Sequence, residues 1–229
     1  WYDGEHRTAR MIVDVYEGGT YERFTRDSRY VAQKAVQFAK DSGYDMTYWG
    51  PEIEFFVFDG IRLTPTPDHV RNPWSGAGYE ILSREAPWHD NGGKNFPVRF
   101  KEGYYPAPPV DSLQDFRNEA CRVLIDHFGM TLDAHHHEVA TAGQCEIDMR
   151  YTELVPQADN CVTYRYVMKM VAHQMGMMAT FMPKPLQHVN GSGMHTHQSL
   201  FTTAGDNAFH AADQRYSLST LGRQFIAGQ

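Results

Sequence analysis

Apolar residues along the chain follow two periods, one typical of helices and one typical of strands. A spacing of three to four predicts helices from Asp27 or Ser28 to Gly43, from Ser112 to Gly129, and over residues 159–176. Alternating or continuously apolar segments predict strands at residues 11–15, 48–59, 131–137, 144–151 and 193–201. Helices mixed with hairpin-length links between strands predict an α+β fold built on a largely antiparallel sheet.

The organisation between these elements is also readable. Prolines and glycines are frequent in residues 61–109, which predicts mostly loop and indicates either a binding role or disorder there. Ser112 followed by Asp115 resembles a capping box for the second helix. Since no internal repeat or low-complexity tract divides the chain, one continuous domain over residues 1–229 is expected.

Composition narrows the classes of protein. The 229 residues are 41% hydrophobic and 21% charged, which suits a folded core, and no apolar run approaches the roughly 18 residues of a membrane span. The net charge of -7 opposes binding to nucleic acid or to an anionic membrane surface. Three cysteines, an odd number without a C-x-x-C spacing, favour a reducing, cytoplasmic location.

Two glutamates stand on one predicted strand among apolar residues. Because side chains alternate along a strand, Glu52 and Glu54 project to one face together with Phe56 and Phe58. Two ionised groups about 4 Å apart repel by about 4 kcal/mol at an effective dielectric constant near 20. A cation is therefore expected between them, although an edge strand whose glutamates face water is the simpler alternative.

A second segment places carboxylates beside histidines. His135, His136 and His137 are followed directly by Glu138, and Glu146 comes eight residues later. The histidines alone could serve packing, and zinc is possible, but no second Cys or His pair stands at a spacing typical of zinc sites. Four glutamates with few histidines favour a hard divalent cation, Mg²⁺ or Mn²⁺.

A third segment carries a further polar face. After Asn190-Gly191-Ser192-Gly193, a strand places His195, His197 and Ser199 on one side. The Asn-Gly-Ser-Gly run by itself predicts a turn, and its glycines would also allow a ligand to approach the backbone.

Together and in this order, the three segments resemble glutamine synthetase of the bacterial and archaeal type. Two further segments, GYYPAPPVDS at 103–112 and TFMPKP at 180–185, extend the similarity to about residues 11–228. The resemblance implies that 1–229 is a portion of one catalytic domain, with the small N-terminal domain and the C-terminal part largely outside it. It also implies a ring-shaped homo-oligomer, a dodecamer, with shared active sites.

The resemblance further implies the activity and the metal ligands. The expected reaction is the ATP-dependent formation of L-glutamine from L-glutamate and ammonia, through a γ-glutamyl phosphate at a two-metal site holding Mg²⁺ or Mn²⁺. Glu54, Glu138 and Glu146 are the expected ligands of one metal, and Glu52 and His195 contribute to the second.

Substrate-binding positions follow from the same similarity. Asn190 and Gly191 match glutamate-binding positions. The positions that match nucleotide-binding residues are Asp133, His136, Tyr151, His197 and Ser199. Asp133 stands where Glu is expected and Cys145 where Asn is usual. The family's catalytic acid and phosphate-binding arginines have no counterpart in these 229 residues, so no catalytic residue is assigned and the isolated chain is expected to be inactive if it acts alone.

Two alternatives remain open on sequence alone. A ligase of the same family that joins glutamate to a polyamine or another amine would retain the metal-binding glutamates. A truncated or degenerate homologue would bind metal or assemble with intact subunits without doing chemistry. All five expected metal positions are retained, which argues against degeneracy.

Overall fold

The computed structural model describes residues 9–64, 78–89 and 96–229. Its helices are α1 (Ser28–Asp41), α2 (Gln114–Phe128), α3 (Leu154–Gln174) and α4 (Thr220–Gly228), with a short 3₁₀ helix at Arg215–Ser217. Its strands are β1 (Tyr44–Phe58), β2 (Gly60–Thr64), β3 (Gly78–Leu82), β4 (Leu132–His137), β5 (Gln144–Met149), β6 (Thr152–Glu153), β7 (Met178–Thr180) and β8 (Met194–Thr202). None of the helices in these ranges would serve as a membrane span.

The strands confirm the predicted α+β class with antiparallel pairing. A six-stranded sheet has the order β4-β5-β1-β6, and β7 and β8 also pair with β1. β1 is antiparallel to β5, β6 and β7, and β4 is antiparallel to β5. β2 and β3 pair separately as a two-stranded antiparallel sheet. The long strand β1 is therefore the element on which most other strands are placed.

Contacts divide the described residues into two compact units. The first takes those within Trp1–Pro51, Arg150–Thr163 and Thr196–Gln229, and the second takes those within Glu52–Met149 and Tyr164–His195. β1, α3 and β8 each contribute residues to both units. The expectation that 1–229 is a portion of a single catalytic domain stays a prediction.

The second unit buries both faces of the apolar half of β1. On one face, Phe55 contacts the rings of Phe116 in α2, Tyr164 in α3 and Phe181, with ring centroids 5.5–6.1 Å apart. On the other face, Phe56 belongs to a cluster of buried apolar residues. Its members are Phe56, Phe58, Ile81, Ala86, Ala140, Ala142 and Val189. Strand β1 is thus a buried central strand and not an edge strand at this point, so the glutamates that it carries sit beside a packed core.

The first unit is held together by ion pairs around α1. Asp27 caps the helix by accepting a hydrogen bond from the Arg29 N–H, as the sequence predicted. The Arg29 guanidinium bonds to Asp14 and also to Asp159 in α3, where Nε lies 3.0 Å from Oδ1. These contacts connect three sequence-distant segments of the unit.

Some local predictions are wrong. No strand forms at residues 11–15; the nearest pairing is a single bridge between Tyr16 and Arg23, because the described residues offer this segment no partner strand. The capping box is also absent: α2 begins at Gln114 without a side-chain cap, because the Ser112 hydroxyl instead donates to Glu85 at 2.8 Å. Helix α3 begins at residue 154, five positions before the predicted start.

The segment 61–109 is less irregular than predicted. It contains most of β2 and all of β3, which pair from Gly60↔Leu82 to Thr64↔Gly78. The prediction of a loop at 65–77 and 90–95 lies outside the described residues. The remaining predictions hold, since α1, α2, β1, β4, β5 and β8 all form within a few residues of the expected limits, and Gly129 ends α2 with a left-handed conformation (φ 65°).

Candidate metal centre

Acidic side chains share one face of three neighbouring strands in the second unit. In the antiparallel register, Glu54 on β1 stands opposite Glu146 on β5, and Glu146 stands opposite His136 on β4. Glu52 and Asp148 form the next pair along β1 and β5. Directly opposite residues of an antiparallel pair project to the same side with their Cβ atoms about 5 Å apart. The strand register therefore places Glu54, Glu146 and His136 in one row across the sheet, and Glu52 and Asp148 in the next row.

Glu138, just beyond the end of β4, joins the same group. The His136 ring lies between two carboxylates, with Nδ1 3.5 Å from Glu138 Oε1 and Nε2 3.3 Å from Glu146 Oε2. Glu54, Glu138 and Glu146 are each buried, with 5–8% of their surface exposed. Glu138 and Glu146 therefore flank the His136 ring, and the strand register places Glu54 opposite Glu146 on the same face.

Burial and repulsion from neighbouring carboxylates make Glu54 and Glu138 reluctant to ionise. Loss of solvation is the main cause that raises the pKa of Glu54 and of Glu138, and the charge of Glu146 raises both further. For His136, burial acts to lower the pKa, but the bond to Glu146 and the nearby carboxylates outweigh it and raise the pKa. The group as a whole therefore favours the arrival of positive charge.

The described residues supply no lysine or arginine partner to this group. Within the described part of the chain, neither Lys nor Arg forms an ion pair with Glu54, Glu138 or Glu146. The Glu146 Oε1 atom is buried and has no hydrogen-bond partner there. A buried carboxylate oxygen without a donor is costly unless a cation binds it. The residues present therefore fit a hard divalent cation held by oxygen ligands.

His195 approaches the edge of the acidic group. Its Nδ1 atom lies 3.5 Å from Glu52 Oε2 and 3.9 Å from Glu54 Oε1, and most of its side chain is exposed. Gly193 allows this approach, since a Cβ there would stand 3.1 Å from Glu54 Oε1 and 2.9 Å from His195 Nε2. Glu52 and His195, expected at a second metal, are thus also near each other.

Sequence reasoning missed Asp148. Among the described residues, His136, Glu146 and Asp148 form a group whose possible ligand atoms all lie within 4.8 Å of one another, and only Glu146 belonged to the expected metal set. Burial, followed by the charge of Glu146, raises the pKa of Asp148 to about 6. The sequence does contain a signal for Asp148, because Glu146-Ile147-Asp148 has the same alternation of acidic and apolar residues as Glu52-Ile53-Glu54.

Tyr105, which was not among the site residues expected from the sequence, packs against His136. The Tyr105 ring stacks on the imidazole with centroids 4.4 Å apart and planes 17° from parallel, while Tyr104 meets it edge-on. Tyr105 has a left-handed backbone (φ 56°), and its N–H donates to the His137 carbonyl at 3.3 Å.

Asp133, an expected nucleotide-binding residue, is exposed at the irregularity of β4. Its nucleotide-binding role stays a prediction.

The loop before β8 carries the expected glutamate-binding residues. The Ser192 N–H donates to the Pro183 carbonyl at 2.9 Å, and the Gly191 carbonyl accepts from Gln144 Nε2 at 2.9 Å. Asn190 Oδ1 and Ser192 Oγ are buried atoms without a hydrogen-bond partner in the described residues. Unpaired polar atoms in a fixed loop are available to a polar ligand.

The other expected nucleotide-binding residues line a separate pocket of about 420 Å³ within the first unit. Its walls are Tyr48, Tyr151, His197, Gln198, Ser199 and Phe201. The Tyr48 ring meets those of Tyr151 and Phe201 edge-on, with centroids 5.5 Å apart in both cases. Tyr48 and Phe201 were not predicted, because only the pairing of distant segments reveals which aromatic residues adjoin. The aromatic walls are suited to a planar heterocycle.

Comparison with known proteins decides the family. The family model described as the glutamine synthetase catalytic domain matches residues 25–229. The chain belongs to the glutamine synthetase family. Glutamine synthetase of Sulfolobus acidocaldarius is 48% identical over 229 residues, which are 100% of this chain and 46% of that protein. The chain thus spans about half the length of the curated relatives it matches.

Solved structures of the glutamine synthetase family share the fold. The cryo-EM structure of Plasmodium falciparum glutamine synthetase has a TM-score of 0.76 and 28% identity, over 87% of this chain and 39% of that chain. A GmaS in complex with ADP has a TM-score of 0.69 and 27% identity, over 91% of this chain and 41% of that chain. The family assignment made from sequence motifs is therefore confirmed.

Proposed function

We propose that this chain forms the metal-binding part of an ATP-dependent ligase that makes L-glutamine from L-glutamate and ammonia through a γ-glutamyl phosphate. The observation that carries the proposal is the group of three buried carboxylates, Glu54, Glu138 and Glu146, without a Lys or Arg partner in the described residues. Membership of the glutamine synthetase family and the relatives of that name support the same reaction.

The chain's residues take distinct roles in this proposal. Glu54, Glu138 and Glu146 hold one Mg²⁺ or Mn²⁺, and Glu52 and His195 contribute to a second. When bound, such cations neutralise the negative charge that accumulates as a phosphoryl group passes between oxygens. Burial of the carboxylates strengthens their hold on the cations, because few waters compete in a low-dielectric site.

Substrate binding follows from the unpaired polar atoms and the aromatic pocket. Asn190 Oδ1 is an acceptor to which none of the described residues donates, which suits the α-ammonium group of glutamate. Tyr48 and Tyr151 would contact the adenine ring of ATP, and the His197 and Ser199 side chains would donate to its polar groups. Assembly into a homo-oligomeric ring and a cytoplasmic location belong to the same proposal.

A titration of the purified protein with Mn²⁺ tests the metal centre. Glu54→Gln and Glu138→Gln each remove a ligand charge at nearly constant volume, and we expect each to weaken Mn²⁺ binding about tenfold or more. Glu80→Gln is the matched control, because Glu80 is exposed and pairs with Arg62. Unchanged affinity in both buried-site variants would contradict the proposal.

A ligase of the same family that uses an amine other than ammonia is the second candidate, because it would retain the same metal-binding carboxylates, Glu54, Glu138 and Glu146. The whole protein, incubated with ATP, Mg²⁺ and L-glutamate, should form glutamine from ammonia. Formation of an N-substituted product from methylamine or putrescine, without glutamine, would assign the alternative. Mn²⁺ binding without any product would favour a non-catalytic homologue.

A further inference from the structure

One buried side chain, Gln144 at the start of β5, contacts both the metal-binding and the substrate-binding parts of the second unit. It is completely buried and every polar atom of its amide is bonded. Its Oε1 atom accepts from the Ala140 N–H at 2.9 Å, and its Nε2 atom donates to Glu54 Oε2 at 2.7 Å and to the Gly191 carbonyl at 2.9 Å. The Gln144 backbone carbonyl also accepts from the Glu138 N–H at 2.8 Å.

These bonds fix the orientation of the amide. The Ala140 N–H can only donate, so the oxygen of the Gln144 amide must face it. The two N–H bonds of the amide then face two acceptors, Glu54 Oε2 and the Gly191 carbonyl. A glutamine has two such donors on one planar group, which a serine, an asparagine or a lysine could not place in the same way from this strand position.

The Glu54 Oε2 atom also accepts a hydrogen bond from the loop at residues 190–193. The Gly193 N–H donates to Glu54 Oε2 at 3.1 Å, so Oε2 accepts from both Gln144 and the loop. The other oxygen, Oε1, faces His195 at 3.9 Å. Because one oxygen is fixed by the protein, the orientation of the second depends on the position of the loop, and the position of the loop depends on the carboxylate.

We propose that Gln144 is a positioning residue that couples cation binding at Glu54 to L-glutamate binding at the 190–193 loop. This inference rests on the proposed function. A cation at Glu54 would order the carboxylate, and through the amide it would order the Gly191 carbonyl beside Asn190. The coupling is reciprocal, so bound glutamate must strengthen cation binding by the same factor.

The test compares the Mn²⁺ dissociation constant of the purified protein with and without saturating L-glutamate. In the wild type we expect glutamate to tighten Mn²⁺ binding by about fivefold or more. In Gln144→Met, which keeps the volume but removes both donors, we expect that ratio to fall to about one. If Gln144 were merely structural, Gln144→Met would weaken Mn²⁺ binding equally with and without L-glutamate and would keep the wild-type ratio. A wild-type ratio in Gln144→Met therefore overturns the proposal.

A matched control separates loss of coupling from loss of folding. Gln157→Met removes another buried glutamine whose Nε2 has no partner in the described residues, and it should keep the wild-type ratio. If Gln144→Met does not fold, Gln144→Glu replaces it, since that variant keeps the acceptor for Ala140 and loses the donors. Failure of both to fold while Gln157→Met folds would assign Gln144 to the core and overturn the proposal.

The wild-type result distinguishes this inference from the proposed function. If the wild type does not bind Mn²⁺, the metal centre itself is wrong. If it binds Mn²⁺ and glutamate independently, the metal centre stands and only the coupling role of Gln144 is overturned.

Discussion

The second unit buries carboxylates in two contrasting ways. Asp111 is paired with Arg117, whose guanidinium donates to both carboxylate oxygens, and both residues are at least 94% buried. Glu54, Glu138 and Glu146 are buried to a similar degree but contact amides, backbone N–H groups and histidines. Asp111 is neutralised by a guanidinium, whereas Glu54, Glu138 and Glu146 have no Lys or Arg partner among the described residues.

Another buried carboxylate, Glu85, lies between these two cases. It bonds to His137 Nε2 at 2.7 Å and accepts from both the backbone and the hydroxyl of Ser112. Burial acts to lower the pKa of His137, but Glu85 and two carbonyl groups outweigh it and raise the pKa. Burial alone therefore does not distinguish a structural carboxylate from a candidate metal ligand, whereas the presence or absence of a cationic partner does.

The largest expected effect comes from breaking the internal pair. Arg117→Met leaves Asp111 buried without a cation, so we expect the free energy of unfolding to fall by about 3–5 kcal/mol. Urea unfolding at pH 7 measures it. Adding Asp111→Asn to the same variant should recover much of the loss, and a loss below about 1 kcal/mol would contradict a structural role for the pair.

The opposite change is expected in the acidic group. Without metal, Glu146→Gln should raise the free energy of unfolding by about 1 kcal/mol, because one of three mutually repelling charges is removed. Mn²⁺ at 100 times its dissociation constant should stabilise the wild type by about 2.7 kcal/mol and the variant much less. Thermal unfolding in EDTA and in Mn²⁺ gives both numbers; destabilisation in EDTA would show that Glu146 serves packing.

The stability of the metal-free protein should also depend on pH because of the acidic group. The pKa of Asp148 is raised to about 6, and those of Glu54, Glu138 and His136 are also raised, so the folded state binds protons more tightly than the unfolded chain. Stability of the metal-free protein should therefore rise as the pH falls from 7.5 to 5.5.

The measurement is the urea midpoint in EDTA at the two pH values. With saturating Mn²⁺ the trend should reverse, since protonation then competes with the cation. A midpoint in EDTA that falls towards pH 5.5 would mean that other groups dominate.

The smallest effect is expected at the surface. Arg62 and Glu80 form an ion pair whose side chains are 62% and 49% exposed, so Arg62→Ala should change the free energy of unfolding by about 0.5 kcal/mol or less. Urea unfolding alongside Arg117→Met checks this. Similar losses in the two variants would remove the distinction between buried and exposed pairs.

Local patterns in the sequence predicted most elements of the fold. The helical spacing before Gly43 and Gly129 gave α1 and α2, and the aromatic run gave β1, because these signals depend on neighbours within a few residues. Where a side chain had a distant partner, local reasoning failed. Ser112 suits a helix cap by its position, yet it bonds to Glu85, 27 residues away.

The candidate site divides in the same way. Alternation along β1 placed Glu52 and Glu54 on one face, but only the register of β1 with β5 sets Glu54 opposite Glu146. A shift of one residue in that pairing would have sent Glu146 to the other face. The contacts of Gln144 escaped prediction for the same reason, since its two acceptors are 90 and 47 residues away.

Motif order and residue alternation are properties of the chain, so the sequence predicted the family, the α+β class and the acidic residues that fit a divalent cation. The folded arrangement was needed to see that Asp111 receives a guanidinium, that Glu54 receives none from the described residues, and that Asp148 lies beside Glu146 and His136. The physical reason is that a buried charge is judged by the groups around it, and those groups come from strands and helices far apart in sequence.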